Sequence, residues 1–329
     1  MRCSVVVGIK KLIYALHVLT LLIFTSCKET FQEEPQENIA EEWKIISLAP
    51  SLTSILIEFG LSEHIAAVDS FSKKDSRFLD IGGFIDPNYE LITTIKPTHM
   101  VGLTSHSKIK ERLDFMNAKW ILNPSESLGD YFQTIHIIGN EFNKKPEAEK
   151  HLAEITKLIE SLRELISTNT NCKLLEFEYC QDEKRIIMII SRKPGETTNM
   201  LAAGKETFLS EIIEKLGVKN AIKNQEGSLN PYWPNIGAES LIAINPDEIW
   251  EFGEKNDSQD LCCDDDSFFY PYQKLKNIKA IKNKKIKLFQ NEELTIPGTN
   301  IKKTLIEFAI ELYPEIEAEI KKLIKPARS

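Results

Sequence analysis

Two aromatic residues and two glutamates recur at equal spacing in distant parts of the chain. Phe84 precedes Glu90 by six residues, and Trp233 precedes Glu239 by six residues. Both copies continue with an isoleucine and a proline at matching offsets: Ile95 and Pro97, then Ile244 and Pro246. Aromatic rings bury a large area and lose few rotamers, so they suit the walls of a site for a flat apolar ligand. Carboxylates suit contacts with cations. This internal repeat predicts two similar lobes, each contributing one aromatic wall and one carboxylate.

Each of these residues also has an ordinary structural interpretation. Phe84 would suit the core of its lobe, and Trp233 would suit a packed turn. A glutamate in the first turn of a helix is stabilised by the helix dipole by about 0.3–1 kcal/mol, whatever else it does. Tyr232 and Tyr270 are candidate secondary walls, for which the alternative is a surface loop.

Several polar residues could hold a metal, but a simpler interpretation is favoured for each. His106 could be an axial ligand to haem iron or cobalt, although a solvated loop histidine is the favoured interpretation. Asp264–Asp266 could bind a hard cation, and a charged loop is preferred. Cys172 and Cys180 could form a disulfide in an oxidising compartment, and Cys262–Cys263 is a vicinal pair. Because neither pair has the spacing of a zinc site, no metal is predicted.

The first residues predict export and lipid attachment. Lys10 and Lys11 precede an apolar run, residues 12–24, that is short for a membrane-spanning helix. The run ends in Phe24-Thr-Ser-Cys27, which resembles the lipobox of bacterial lipoproteins. Residues 1–26 are therefore interpreted as a signal peptide, Cys27 as the lipidated residue, and 27–43 as an acidic tether. The protein would then be membrane-anchored and face the periplasm or the cell surface.

Composition limits the classes of function. The chain has 329 residues, of which 42% are hydrophobic, enough for two lobes with real cores. Its 41 basic and 49 acidic side chains give a formal net charge of −8. Nothing in this balance indicates a nucleic-acid partner.

A long central helix separates the two copies of the repeat. From Pro146 to Ile166 apolar residues recur at spacings of three and four, which predicts one helix on the order of 30 Å long. Strand-like and helix-like stretches alternate on both sides, which predicts an α/β fold with mostly parallel sheets flanked by helices. We expect a first lobe at 44–144, a spine helix at 145–168 and a second lobe at 169–329. Ligands of such sheets bind beyond the carboxyl ends of the strands.

Several motifs occur in the order typical of one known family. They are Ile46–Leu56, Ile81–Phe84, Tyr89–Ile92, Lys96–Pro97, Ala203–Leu209, Trp233–Ile236 and Ala243–Asp247. Over residues 44–313 the chain resembles the helical-backbone class of solute-binding proteins of ATP-driven importers. That resemblance implies two lobes that move little, a ligand in the cleft between them, and a monomer that docks on permease and ATPase subunits. It also implies that Glu90 and Glu239 form salt bridges to arginines of the two importer subunits.

Within that class, two segments indicate which kind of ligand is bound. Trp233-Pro-Asn-Ile-Gly-Ala-Glu239 looks most like the cobalamin-binding members, which predicts a corrinoid held between Phe84 and Trp233. The family's Arg-Pro-Gly-Pro-Arg run appears here as Ile296–Asn300 without its arginines, which disfavours an anionic iron chelate. A ferric-siderophore or haem-binding protein remains the alternative.

An enzyme is the less favoured class. The chain has no Gly-x-Ser-x-Gly, no His-Glu-x-x-His and no phosphate-cradling glycine loop. We therefore predict neither enzymatic activity nor a resident cofactor.

Overall fold

A computed structural model describes residues 43–72, 75–172, 184–193, 195–223, 230–253 and 270–323. No helix in these ranges is long and apolar enough to cross a membrane. Several sequence-based predictions concern residues outside them: the signal peptide, Cys27, the tether up to Glu42, Cys180, Cys262–Cys263 and Asp264–Asp266. Cys172 is disulfide-bonded, and the other five cysteines all lie outside the described ranges.

The first sheet has five parallel strands in the order β3-β2-β1-β4-β5. They are β1 (Ile45–Ser47), β2 (Ile65–Val68), β3 (Leu79–Asp80), β4 (His99–Leu103) and β5 (Lys119–Asn123). The associated helices are α1 (Pro50–Glu58), α2 (Tyr89–Ile95), α3 (Ser107–Arg112) and α4 (Leu128–Glu141). The interior of β4 and all of β1 are buried, as expected for a parallel sheet covered on both faces.

The second sheet is mixed, with the order β11-β10-β6-β7-β9 and β8 beside β6. Its strands are β6 (Arg185–Ser191), β7 (Met200–Ala202), β8 (Lys219–Asn220), β9 (Asn235–Ile236), β10 (Glu248–Phe252) and β11 (Ile286–Phe289). β7 runs antiparallel to β6 and β9, whereas β6, β8, β10 and β11 are parallel. The connection from β6 to β7 is too short for a crossover helix, which forces the reversal.

Helix α5 (Lys145–Asn169) connects the two sheets along the chain. Its 25 residues span about 37 Å. Its buried stripe consists of Ala148, His151, Ile155, Leu162 and Ile166. The four apolar members of this stripe belong to one core cluster that also contains Ile45 of the first sheet and Met188 of the second. The predicted α/β fold with two sheets and one long spine helix is confirmed.

The remaining helices belong to the second half of the chain. They are α6 (Phe208–Lys215), α7 (Ala238–Ile244), α8 (Lys279–Lys282), α9 (Ile301–Leu312) and α10 (Glu317–Leu323). Single helical turns occur at Ser62–His64, Thr104–His106, Tyr270–Leu275, Glu292–Thr295 and Pro314–Ile316.

The internal repeat has a structural counterpart. The offset that relates Glu90 to Glu239 carries α2 onto α7 and β4 onto β10 residue for residue. Both helices end in a left-handed residue, Lys96 with φ of 52° and Asn245 with φ of 44°. The same helix–cap–proline–strand unit is therefore built once in each half.

A buried polar chain fixes the spine to the first half. The Tyr131 hydroxyl lies 2.6 Å from Nε2 of His151, and Nδ1 of His151 lies 2.6 Å from Oε1 of Glu58. From α9, Lys302 reaches Glu154 of the spine at 2.8 Å. Burial and the nearby Glu58 carboxylate raise the pKa of Tyr131. Because Tyr131 is only 1% exposed, this triad-like arrangement has no access for a substrate and serves packing.

Candidate functional site

The carboxyl ends of the first sheet present exposed apolar side chains. Phe71 follows β2 and is 69% exposed, while Ile85 follows β3 and is 84% exposed. Phe84 is half-buried in the same turn, which Gly82 opens with φ of 91°. The sequence analysis selected Phe84 and missed Phe71 and Ile85, although both lie in the loops that follow strands, where a ligand is expected.

His106 lies beneath Phe84 rather than in solvent. The two ring centroids are 4.3 Å apart in an edge-to-face arrangement. Nδ1 of His106 accepts the Leu103 N–H at 3.0 Å, so the neutral ring carries its proton on Nε2. Burial lowers the pKa of His106 to about 4, and the Phe84 backbone opposes this shift more weakly. The interpretation as a solvated loop histidine was wrong, because His106 is 1% exposed.

The His106 ring packs against Gly102, which has no side chain. A Cβ at Gly102, in β4, would lie 3.0 Å from Nδ1 of His106. Nε2 is buried and forms no hydrogen bond of standard geometry with a described residue, so the Phe84 backbone favours protonation of the ring only weakly. His106 therefore supports the Phe84 turn from below, and a direct bond to a ligand would need Nε2 to become exposed.

Trp233, in the second half of the chain, forms a hydrogen bond with a residue of the first half. Its indole N–H donates to the carboxylate of Glu126, which lies between β5 and α4. Two further hydrogen bonds join the Glu126 segment to α6: Phe208 N–H donates to the Glu126 carbonyl at 2.7 Å, and Leu128 N–H donates to the Glu211 carboxylate at 2.9 Å. Burial raises the pKa of Glu211. The sequence analysis selected Trp233 but missed Glu126, which has no motif of its own.

A close backbone approach shapes the loop that carries Trp233. Gly204 N–H donates to the Tyr232 carbonyl at 2.6 Å. A Cβ at Gly204 would lie 2.0 Å from the Pro231 carbonyl oxygen, so only glycine fits.

The predicted secondary walls lie in two different segments. Tyr232 is half-buried and adjacent to Trp233 in the chain. Tyr270 opens the turn Tyr270–Leu275, and its side chain lies outside the described part of the structure. Phe84 and Trp233 make no ring contact with each other within the described residues.

The two predicted docking carboxylates occupy equivalent positions. Glu90 is in the first turn of α2, and Glu239 is in the first turn of α7. Both side chains are exposed. Neither forms an ion pair with another described residue, so both carboxylates are free to meet a partner.

A buried charged cluster lies at the carboxyl ends of β6 and β10. Arg192 Nε lies 2.9 Å from Glu251 Oε1, and the Tyr272 hydroxyl donates to the same carboxylate. Burial and the adjacent Glu251 raise the pKa of Tyr272. The carboxylate of Glu251 is thus satisfied by a cation and a hydroxyl, which fits a structural role. Within the described ranges no three His, Cys, Asp or Glu residues are grouped as metal ligands would be.

The chain is similar in sequence to known binding proteins of importers. A family model described as periplasmic binding protein matches residues 45–292. An uncharacterized ABC transporter substrate-binding lipoprotein of Bacillus subtilis, YvrC, is 24% identical over 67% of this chain. The matched region spans 64% of that relative's length. The high-affinity heme uptake system protein IsdE of Staphylococcus aureus is 25% identical over 70% of this chain and 73% of its own.

Solved structures show the same fold. The haem complex of S. aureus IsdE superposes with a TM-score of 0.63 at 18% identity, covering 82% of this chain and 99% of that one. The periplasmic vitamin B12 binding protein BtuF of Vibrio cholerae superposes with a TM-score of 0.58 at 16% identity, covering 86% and 98%. At these identities the likeness concerns the fold alone.

Proposed function

Because the chain belongs to the periplasmic binding protein family, we propose that it captures a solute and delivers it to an ATP-driven importer. The observation that carries this proposal is the pair of exposed glutamates at repeat-equivalent positions, neither of which forms an ion pair with another described residue. A two-fold partner presents the same surface twice, and one carboxylate per half matches it. Permease and ATPase subunits are the proposed partners.

The proposed ligand is cobalamin or a related corrinoid, bound between Phe84 and Trp233. Exposed Phe71 and Ile85 widen the apolar surface beside Phe84. The segment Ile296–Asn300 carries no cation for an anionic chelate. Tyr232 and Tyr270 are proposed as secondary walls. The fold similarity to a vitamin B12 binding protein is compatible with this ligand class.

Haem is the second candidate, supported by the heme uptake relative and by His106 next to Phe84. Coordination of haem iron through Nε2 would require the buried ring to move and its proton to shift to Nδ1. The geometry therefore weighs against His106 as an axial ligand, to haem iron and to cobalt alike, and so removes one argument for haem. A ferric siderophore is the third candidate, and the missing arginines weigh against it.

Absorbance titrations of the purified protein with cyanocobalamin, haemin and a ferric siderophore distinguish these ligands. We expect one cyanocobalamin bound per chain and no chemical change in it. Tight binding of the siderophore without cobalamin binding would overturn the corrinoid assignment. Turnover of a bound compound would instead indicate an enzyme.

A further inference from the structure

A basic surface stands out on this acidic protein. Seven lysines lie between Lys274 and Lys287, and all seven side chains are exposed. No aspartate or glutamate occurs from Ser267 through Asn291. With a net charge of −8 for the whole chain, this stretch is a local reversal of sign.

The described residues compensate few of these charges. Lys279 lies 3.3 Å from Asp247, and Lys287 lies 2.5 Å from Glu311. The other five lysines form no ion pair with any described residue. Clustered cations repel one another, so an external anionic surface would lower their energy.

An open groove adjoins this basic surface. It measures about 470 Å³, and its lining includes Lys274, Lys276, Leu275 and Ile242. Ile242 is 51% exposed and lies on α7, three residues after Glu239. Residues three apart share one face of a helix, so the groove and the docking glutamate belong to the same side of the molecule.

We propose that this basic surface seats the protein on an anionic membrane, with its lysines on lipid phosphates and Ile242 at the headgroup boundary. The proposal rests on the proposed function, which places Glu239 against a membrane-embedded subunit and so turns the surrounding face towards lipid. Polybasic surfaces bind anionic leaflets through summed, short-range attraction.

The composition of the surface favours lipid over a protein partner. Specific protein interfaces are depleted in lysine and depend on large buried anchors. Here the charge is broad and Ile242 is the only large exposed hydrophobic residue among the described residues that line the groove. Such a surface suits a fluid headgroup layer, which needs no shape complementarity. Seating would also hold Glu239 near its partner and raise its effective concentration.

Lysine footprinting of the full chain tests the proposal. The protein is acetylated in the presence of vesicles of phosphatidylcholine alone or mixed with phosphatidylglycerol, and each lysine is quantified by mass spectrometry. Each lysine near an anionic surface contributes roughly fivefold to the binding constant, so labelling of Lys274, Lys276 and Lys282 should fall at least about tenfold with phosphatidylglycerol. Lys108, Lys150 and Lys157, exposed on other helices, are internal controls.

A matched pair of variants provides the second measurement. In a Cys27→Ser background, which carries no acyl chain, Lys274→Glu/Lys276→Glu/Lys284→Glu should lower cosedimentation with anionic vesicles by about 100-fold or more, and high salt should do the same to the Cys27→Ser protein. Lys108→Glu/Lys150→Glu/Lys157→Glu changes the net charge equally and should retain binding.

Three results would overturn the proposal. The first is equal labelling of the basic surface in neutral and anionic vesicles, and the second is equal loss of vesicle binding in both triple variants. The third is protection of the same lysines by importer subunits added in neutral vesicles, with no effect of phosphatidylglycerol, which would indicate an acidic protein segment. Because the vesicles of the first two measurements contain no importer, a failure of docking leaves the lipid result intact and is recognised separately.

Discussion

At the scale of single residues, the indole of Trp233 depends on a residue 107 positions earlier in the chain. Its hydrogen bond to Glu126 crosses from one half of the molecule to the other. In the proposed ligand site this hydrogen bond would pre-position the Trp233 ring, which would reduce the ordering cost of binding.

Trp233→Ala should weaken cyanocobalamin binding by about 1–3 kcal/mol, as for the loss of a buried anchor. Glu126→Ala should cost about 0.5–1.5 kcal/mol, because it removes only the hydrogen bond that orients the ring. Glu126→Gln retains an acceptor and is the matched control. Calorimetric titration gives the affinities, and the ¹⁵N-indole resonance of Trp233 reports the bond. Unchanged affinity in Phe84→Ala/Trp233→Ala would remove both residues from the ligand site.

His106 should make stability depend on pH. Its pKa is lowered to about 4 in the folded protein, whereas an unfolded histidine titrates near 6.5. The unfolded chain therefore binds a proton that the folded chain does not, so stability is complete above about pH 6.5 and falls towards pH 4, by at most about 1.4 kcal/mol per pH unit.

Urea unfolding at several pH values measures this dependence. His106→Gln should lose less stability between pH 6.5 and pH 4 than the wild type. His136→Gln, which removes an exposed histidine, should follow the wild type. If all three proteins lose stability in parallel, His106 does not carry the dependence.

At the scale of elements, the repeated helix–cap–strand unit places a lysine in a strained position. Lys96 has φ of 52°, a left-handed conformation that costs a non-glycine residue roughly 1–2 kcal/mol. Asn245 fills the same place in the second copy, where its side chain accepts the Lys279 N–H at 2.9 Å. The two caps are thus equivalent in backbone and different in chemistry.

Lys96→Gly should raise the free energy of unfolding by about 0.5–1 kcal/mol, because glycine relieves the strain but gains freedom in the unfolded chain. Asn245→Gly should bring less or no gain, since asparagine tolerates this conformation and its hydrogen bond is lost. Paired denaturant curves compare them. A greater gain at Asn245 would contradict this account of the caps.

At the scale of the whole molecule, the shared core along α5 holds the two sheets as one body. Two exposed carboxylates on such a body have a fixed separation, so in the proposed docking the second contact with an importer would be effectively intramolecular. We propose that ligand binding and docking use different surfaces, in which case mutations separate the two.

Glu90→Ala/Glu239→Ala should leave ligand affinity nearly unchanged while abolishing docking and uptake, and high salt should weaken docking of the wild type. Glu63→Ala/Glu319→Ala, which removes two other carboxylates, is the control. Normal uptake by the double docking variant would leave both glutamates as ordinary helix-start residues. Loss of ligand binding would place them in the cleft instead.

The proposed lipid anchor at Cys27 also belongs to this scale. Stable membrane attachment needs more than one acyl chain or an additional signal, which a diacylglycerol-modified Cys27 would provide. Cys27→Ser should shift the protein from membranes to the soluble fraction, measured by fractionation of cells. A variant that loses its signal peptide and stays on the membrane would refute lipidation at this residue.

The amino-acid sequence by itself determined the elements whose causes are local. The spine follows from the spacing of its apolar residues, α1 from Pro50 and Gly60, and the two repeat units from motifs that share one offset. Exposure of Glu90 and Glu239 follows equally, because a charged first-turn residue opposite a buried face points to water.

Only the tertiary structure decided the features that join distant segments. Burial of His106 depends on the missing side chain of Gly102 and on the Phe84 turn, and the place of Trp233 depends on Glu126. The antiparallel direction of β7 and the ion pair of Arg192 with Glu251 also depend on contacts in the folded structure. These contacts come from packing between segments far apart in sequence, and no local pattern of residues encodes which distant partner a side chain will meet.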